Sequence, residues 1–438
     1  MNVDKYDLPL STTSGRAAAL YREGVDLMLS AWPGAAERLS AAIDADPEFA
    51  LAHAARARLY AGHGRSAEAR KEIKAARGLA ARRGDEREQS HVDVLALAIG
   101  GRSPEALDRA LEHAGLWPQD VLILSLPLGA FGLFAFSGMA DHDQARVDLC
   151  ERHADRFASD DWWFLASRGW ALAENGEVAR GRAMLERSFE LRRENANGVH
   201  ALVHAMFEGG AGADSDALIE GWLPSYDRSG LLHGHIAWHA AITALDRGDV
   251  ANALAIYEDK VRPSVSLGLP INVVSDGASL LWRLDAYGHG APADLWRELA
   301  DYARAAYPEA GHPFVDAHMS LVEAATGDRD ALDRRIAALD AMVDGNALAA
   351  GPVAPAICRA ALAFATEDFA ECVRLLGPAA ADVARIGGSG AQREVIEDTL
   401  LVALMRSGET ARARTLLDRR LHRRPSPRDE RWRVQLAA

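Results

Sequence analysis

The chain predicts an all-α fold, a right-handed superhelix (solenoid) of stacked helix pairs, on three observations. Alanine is abundant and only 17 prolines occur in 438 residues. Long stretches run without a cluster of β-branched residues, which favours helix by intrinsic propensity. Small and large residues also recur in a fixed frame punctuated by glycines, the mark of a repeat array that grows without one central core.

The elements follow in order. Residues 1–13, within "MNVDKYDLPLSTTSG", read as extended, and the absence of a basic segment followed by an apolar one argues against a secretory signal. "LAHAARARLYAGHGRSAEARKEIKAA" reads as a helix ending at Gly64 and a second beginning near Ser66. Ala57, Tyr60, Gly64, Ala69, Ile73 and Ala76 occupy the small and large positions of a tetratricopeptide repeat. Small residues let the two helices approach, and glycine closes the turn in a conformation other residues resist.

The stretch "VLILSLPLGAFGLFAFSGM", residues 121–139, approaches bilayer-spanning length. Pro127, Gly129, Gly132 and Gly138 interrupt it, so it reads as a buried helix pair rather than a membrane span. The repeat frame returns through Gly169, Gly176 and Leu185, and again through Ala241, Gly248, Ala253 and Tyr257. Further units lie around Gly327, around Cys372, and through Gly408, Ala413, Leu417 and Pro425. Intervals between the turn glycines exceed one repeat in places, which predicts degenerate hairpins between the recognisable ones. Residues 209–230 and 261–278 carry Gly/Pro/Ser-rich connections with helical patterning on both sides, so residues 1–438 read as one superhelix. Residues 422–438 read as a basic tail, a solvated, cation-rich end to the last helix rather than an RNA patch.

A net charge of -14 and a pI of about 5.6 argue against nucleic-acid binding, which needs a Lys/Arg surplus on some face. Cys150, Cys358 and Cys372 have no CxxC spacing, so neither a disulfide framework nor a thiolate zinc site is expected, and a cytoplasmic location fits.

Candidate chemistry gathers in the middle of the chain. "NANGVHALVHAMFEGG" carries His200, His204 and Glu208 at four-residue steps, and "LLHGHIAWHAA" adds His233, His235 and His239. A four-residue step advances a helical side chain by roughly 400°, so each series runs along one slowly drifting face. HxxxH lets two imidazoles reach one metal ion, with Glu208, or Asp316 and His318, as a further ligand. The same groups serve acid/base chemistry, or simply hydrogen-bond inside the scaffold, and no HExxH-type base accompanies them. The reading adopted assigns no metal and no named cofactor, and takes His200, His204, Glu208, His235 and His239 as the candidate acid/base set.

Trp163, Asn197, His233 and Trp238 are candidate ligand contacts beside that set, with packing the competing role for the indoles. The loop "ARIGGSGAQRE" adds Ser389, Gln392 and Arg393, because backbone amides at a helix start can hold a carboxylate or phosphate. It lacks the Lys-Ser/Thr of a Walker loop, and a tight inter-repeat turn is its plain reading.

The sequence resembles the tetratricopeptide repeat protein 38 family. The matching text runs from "DLPLSTTSGRAAALYREGVDLMLSAWPGAAERLSAAIDADPEFALAHAARARLYAGHGRSAEA" through "NANGVHALVHAMFE" and "HGHIAWHAAITALDRGDVANALAIYED" to "GGSGAQREVIEDTLLVALMRSG". The resemblance implies a solenoid of helix pairs, and motif status for His200, His204, His235, His239 and residues 387–394. Glycines after Glu208 depart from the family pattern, which implies a pocket of altered shape. The resulting expectation is a His-rich internal pocket for a small polar molecule, with acid/base chemistry. A peptide scaffold and a His/carboxylate metal-dependent hydrolase are the alternatives. A peptide in the concave groove and a homodimer stay open as partners; nucleic acid and membrane do not.

Overall fold

The computed structural model describes residues 2–437, and 23 α-helices fall among them. Two short antiparallel strands, Asn2–Val3 and Pro9–Leu10, pin the N-terminal segment, which is otherwise irregular. All six repeats legible in the sequence are helix pairs. They are Ala50–Gly62 with Ser66–Arg83, Trp162–Glu174 with Val178–Leu191, and His233–Arg247 with Val250–Ile256. Pro313–Thr326 pairs with Arg329–Asp344, Val353–Ala365 with Phe369–Ala379, and Gly390–Arg406 with Thr410–Arg423. The intervals hold four further pairs: Gly15–Leu29 with Ala35–Ala45, Glu86–Ile99 with Ser103–Leu116, Ala196–Glu208 with Gly212–Trp222, and Pro270–Ala286 with Ala293–Ala306.

The predicted turn glycines Gly64, Gly176, Gly248, Gly327 and Gly408 have φ between 71° and 93°, a region costly for residues with a Cβ. Within the pair Trp162–Glu174 and Val178–Leu191, a Cβ on Gly169 would lie 2.7 Å from Leu185 Cγ and 2.9 Å from the Gly181 carbonyl oxygen. The helices therefore pack backbone to backbone there, which the small-residue frame anticipated.

Two stretches differ from expectation. Residues 121–139 form one eight-residue helix, Val121–Leu128, followed by turns, because Pro127 and the glycines after it end the helix. Among the described residues no helix is long and apolar enough to cross a membrane. The tail is only in part a solvated basic end, with His422, Arg423, Arg431 and Arg433 exposed. Arg420 and Arg424 are buried, as is Arg428 on a last helix, Pro427–Gln435, and each meets carboxylates of the chain itself.

Those arginines neutralise the helix Gly390–Arg406, which is buried on most of its surface. Arg420 reaches Glu394, Glu397, Asp398 and Asp429, and Arg283 bonds Asp398 at 2.8 Å. Charges this deep are tolerable only when so paired.

The superhelix is wound tightly enough to meet itself. The Ser30 carbonyl accepts from the Ala196 N–H at 2.8 Å, the Ala31 carbonyl from the Tyr226 hydroxyl at 2.6 Å, and the Gly138 carbonyl from Arg385 at 2.9 Å. Gly138 is needed at this closure: its φ is 79°, and a Cβ would stand 2.1 Å from the Ala349 oxygen.

Candidate functional site: four histidines beside a cavity

The helices Ala196–Glu208 and His233–Arg247 are the first members of successive pairs, so they run side by side toward the interior. Asn195 caps the former by accepting the Gly198 N–H at 3.0 Å. Each helix contributes two histidines one turn apart, and the pairs face each other. The potential ligand nitrogens of His200, His204, His235 and His239 all lie within 4.8 Å of one another. A tetrahedral ion with nitrogen ligands at about 2.0–2.1 Å sets them about 3.3–3.4 Å apart, so modest rotamer adjustment closes the difference.

Two of the imidazoles are held from behind. His204 Nδ1 is 3.1 Å from Glu174 Oε1, and His235 Nδ1 is 2.7 Å from Asp276 Oδ2. A proton on each Nδ1 leaves Nε2 as a lone-pair donor directed to the centre. His200 Nε2 lies 2.9 Å from His204 Nε2. His239 is fully buried, and neither of its ring nitrogens has a hydrogen-bond partner. Leaving such atoms unsatisfied costs about 1–3 kcal/mol each, an expense that a metal ligand or substrate contact would explain. Trp170 packs edge-on to His204 at 4.7 Å, and Trp238 stacks on His235 at 5.4 Å.

Burial drives the imidazoles toward neutrality. It holds His200 and His239 well below the ordinary value, and the neighbouring histidines add to the effect. His204 is lowered by burial as well, against the pull of Glu174. Burial disfavours charge on Glu174, yet the His204 contact and the Gly390 N–H at 2.8 Å outweigh it and keep the carboxyl below its usual range. Burial raises Asp276, with His235 opposing.

A cavity of about 500 Å³ adjoins the cluster. His200 and His235 form part of its wall, as do Trp163, Asn197 and Gln392 from the predicted contacts. Leu126, Leu128, Phe131, Trp162 and Leu269 make much of the remainder apolar, so the site is less polar than the sequence suggested. Asn197 is partly spent on the Leu29 carbonyl, to which it donates at 2.7 Å.

Most of the other predicted residues have roles outside the cavity. Glu208 lies 3.8 Å from Arg424 and lines a second cavity of about 270 Å³ with Glu174 and Arg393. Two four-residue steps drift the side chain by about 80°, which takes Glu208 off the histidine face. His233 begins its helix and stacks over Tyr226, while Trp238 is fully buried against His235 and His239 and does not line the cavity. Ser389 and Gln392 form a capping box. Arg393 pairs with Asp143 at 3.1 Å. The helix start at Gly390 does hold a carboxylate, and it is Glu174 of the same chain. Asp316 bonds Arg335 and His318 bonds the Phe314 carbonyl, so neither joins the cluster.

No protein-family model matches the chain. Among solved structures it is similar to yeast Tom70, at 15% identity over 96% of this chain and 86% of that one, with a TM-score of 0.32. It is also similar to the TPR domain of P58(IPK), at 14% identity over 90% of this chain and 89% of that one, with a TM-score of 0.23. The fold is an all-α helical-repeat solenoid of tetratricopeptide-like pairs, as its own helices establish.

Proposed function

We propose that His200, His204, His235 and His239 bind one divalent transition-metal ion, and that this ion and the adjoining cavity form a metal-dependent site for a small organic molecule. One observation carries the reading: four imidazoles converge, and two of them are backed by buried carboxylates, Glu174 and Asp276. Such backing fixes the tautomer and raises the basicity of a metal-bound histidine. Neutral imidazoles are the ligating form, and an all-nitrogen set suits zinc, copper, nickel or iron rather than magnesium or calcium. His200 is the one member of the four that is not fully buried, so it is the ligand a substrate atom would displace. Three buried histidines with an exchangeable fourth position match a catalytic rather than a structural zinc site. A metal there would supply Lewis acidity and, at the position His200 gives up, a bound water ionised near neutral pH, which makes hydrolysis the favoured reaction class.

Elemental analysis of untagged protein, purified without chelator, tests the reading. About one equivalent of metal per chain is expected, with loss in His204→Ala and His239→Ala. Protein that takes up none after incubation with zinc, cobalt, nickel or copper salts would refute it.

A second reading rests on a specific geometry. Glu174, His204 and His200 form a chain of contacts at 3.1 and 2.9 Å that ends at the cavity, a metal-free proton relay. The lowering of both imidazoles, strongest at His200, weakens it, because an efficient acid or base has a pKa near working pH.

A further inference from the structure

The arginine Arg58, on the helix Ala50–Gly62, lines the same cavity as His200 and His235. It donates through one nitrogen, Nη1, to the Leu122 carbonyl and to Ser125 Oγ. Among the described residues no carboxylate lies within ion-pair distance of it. That sets it apart from the buried arginines: Arg87 has Asp120, Arg283 has Asp398, Arg335 has Asp316 and Glu323, and Arg420 has four acids. Burial pulls Arg58 down to about 10, with Asp120 opposing only at a distance. A half-buried cation that lines a cavity without a counter-ion is placed to take one from a bound anion.

The surroundings narrow the class of anion. Leu95, Ile99, Leu126 and Phe131 line the cavity with Arg58, so the occupant has an apolar body. Asn272 is also part of the wall, and its buried Oδ1 has no partner, which leaves an acceptor for a donor group on the ligand. The free Nε and Nη2 edge of the guanidinium suits a planar carboxylate, which it can meet with two parallel bonds.

We propose that Arg58 is the anion receptor of this pocket, and that its ligand is an amphipathic carboxylate whose charged end pairs with Arg58 while its apolar body fills the cavity toward the histidines. The assignment of the far end to metal chemistry rests on the function proposed above; the pairing with Arg58 does not.

Calorimetric titration of the full-length protein with decanoate, decanol and decyl phosphate tests this. Decanoate should bind the natural protein at least about 10-fold more tightly than decanol, the scale of a charge-assisted contact. In Arg58→Met that preference should vanish while decanol binding persists, which also reports that the cavity has folded. Arg58→Lys should keep a reduced preference. His239→Ala should keep the full preference, even with its metal content lost. A preference that survives Arg58→Met, or disappears in His239→Ala, would put the carboxylate at the histidine end and overturn the proposal. So would equal binding of decanoate and decanol, or tight binding of decyl phosphate alone. None of these outcomes bears on metal content, which is read separately.

Discussion

Replacing Asp276 by Asn separates what this carboxylate does for a metal from what it does for the fold, because the two effects have opposite signs. Asp276 is buried at 2% exposure and accepts from His235 Nδ1 at 2.7 Å. Asparagine keeps an acceptor there but removes the charge that makes the imidazole a stronger donor. Loss of such backing weakens metal binding about 10- to 100-fold, or about 1.4–2.7 kcal/mol. Without metal the change works the other way. Burial raises the Asp276 pKa in the fold, so its stabilising contribution is present below the unfolded carboxyl value and lost as pH rises through the folded one. Metal-free Asp276→Asn should therefore melt no lower than the natural protein at pH 7, with a margin that grows upward from the acid range. Competition against a chromophoric chelator reads the first effect, and thermal melts of chelator-treated protein across pH read the second. Affinity within twofold of the natural value would refute the supporting role of Asp276. A large loss of metal-free stability would show instead that the carboxylate chiefly holds the core.

Three further outcomes follow from the packing. Burial lifts Glu208 to about 7 against the pull of Arg424, so its contribution to stability falls as pH rises through neutrality. Glu208→Gln should match the natural protein near pH 5 and exceed it above pH 7 in urea melts, and the reverse order would contradict the buried acid. Arg420→Met removes a cation shared by Glu394, Asp398 and Asp429 but leaves each facing Arg424, Arg283 or Arg428, so it should cost about 3 kcal/mol in chemical denaturation, the low end for a broken buried pair. Gly138→Ala should loosen the contact with Ala349, seen as faster amide exchange around residues 135–142 and 347–352 while the helices Ala50–Gly62 and Ser66–Arg83 stay protected.

What the sequence could disclose was whatever is local. Gly64, Gly176 and Gly248 mark turns because a positive φ leaves a compositional trace, and His200 with His204 or His235 with His239 share a helix face by spacing alone. The partners that give the cluster its chemistry are remote. Glu174 is 30 residues before His204, and Asp276 is 41 after His235, each on another helix. Asp276 did leave a signal, as an acid inside the apolar run "PINVVSDGASLLW", whereas Glu174 in "ALAENGE" is indistinguishable from a solvated helix end. Glu208 misled because four-residue spacing persists while direction drifts. The arginine-rich tail misled because composition alone does not distinguish a cation in water from one matched to Glu394 and Asp398.

An open solenoid is indifferent to its length: a unit gained or lost by recombination alters reach and little else, and its ends can fray independently. Here Ser30 must find Ala196, Gly138 must find Ala349 and Arg385, and Glu174 must find Gly390, across separations that the number of intervening turns sets. Duplicating or deleting one helix pair would put every one of these appointments out of register at once. Such a chain is locked into its count of units as an arch is into its count of stones.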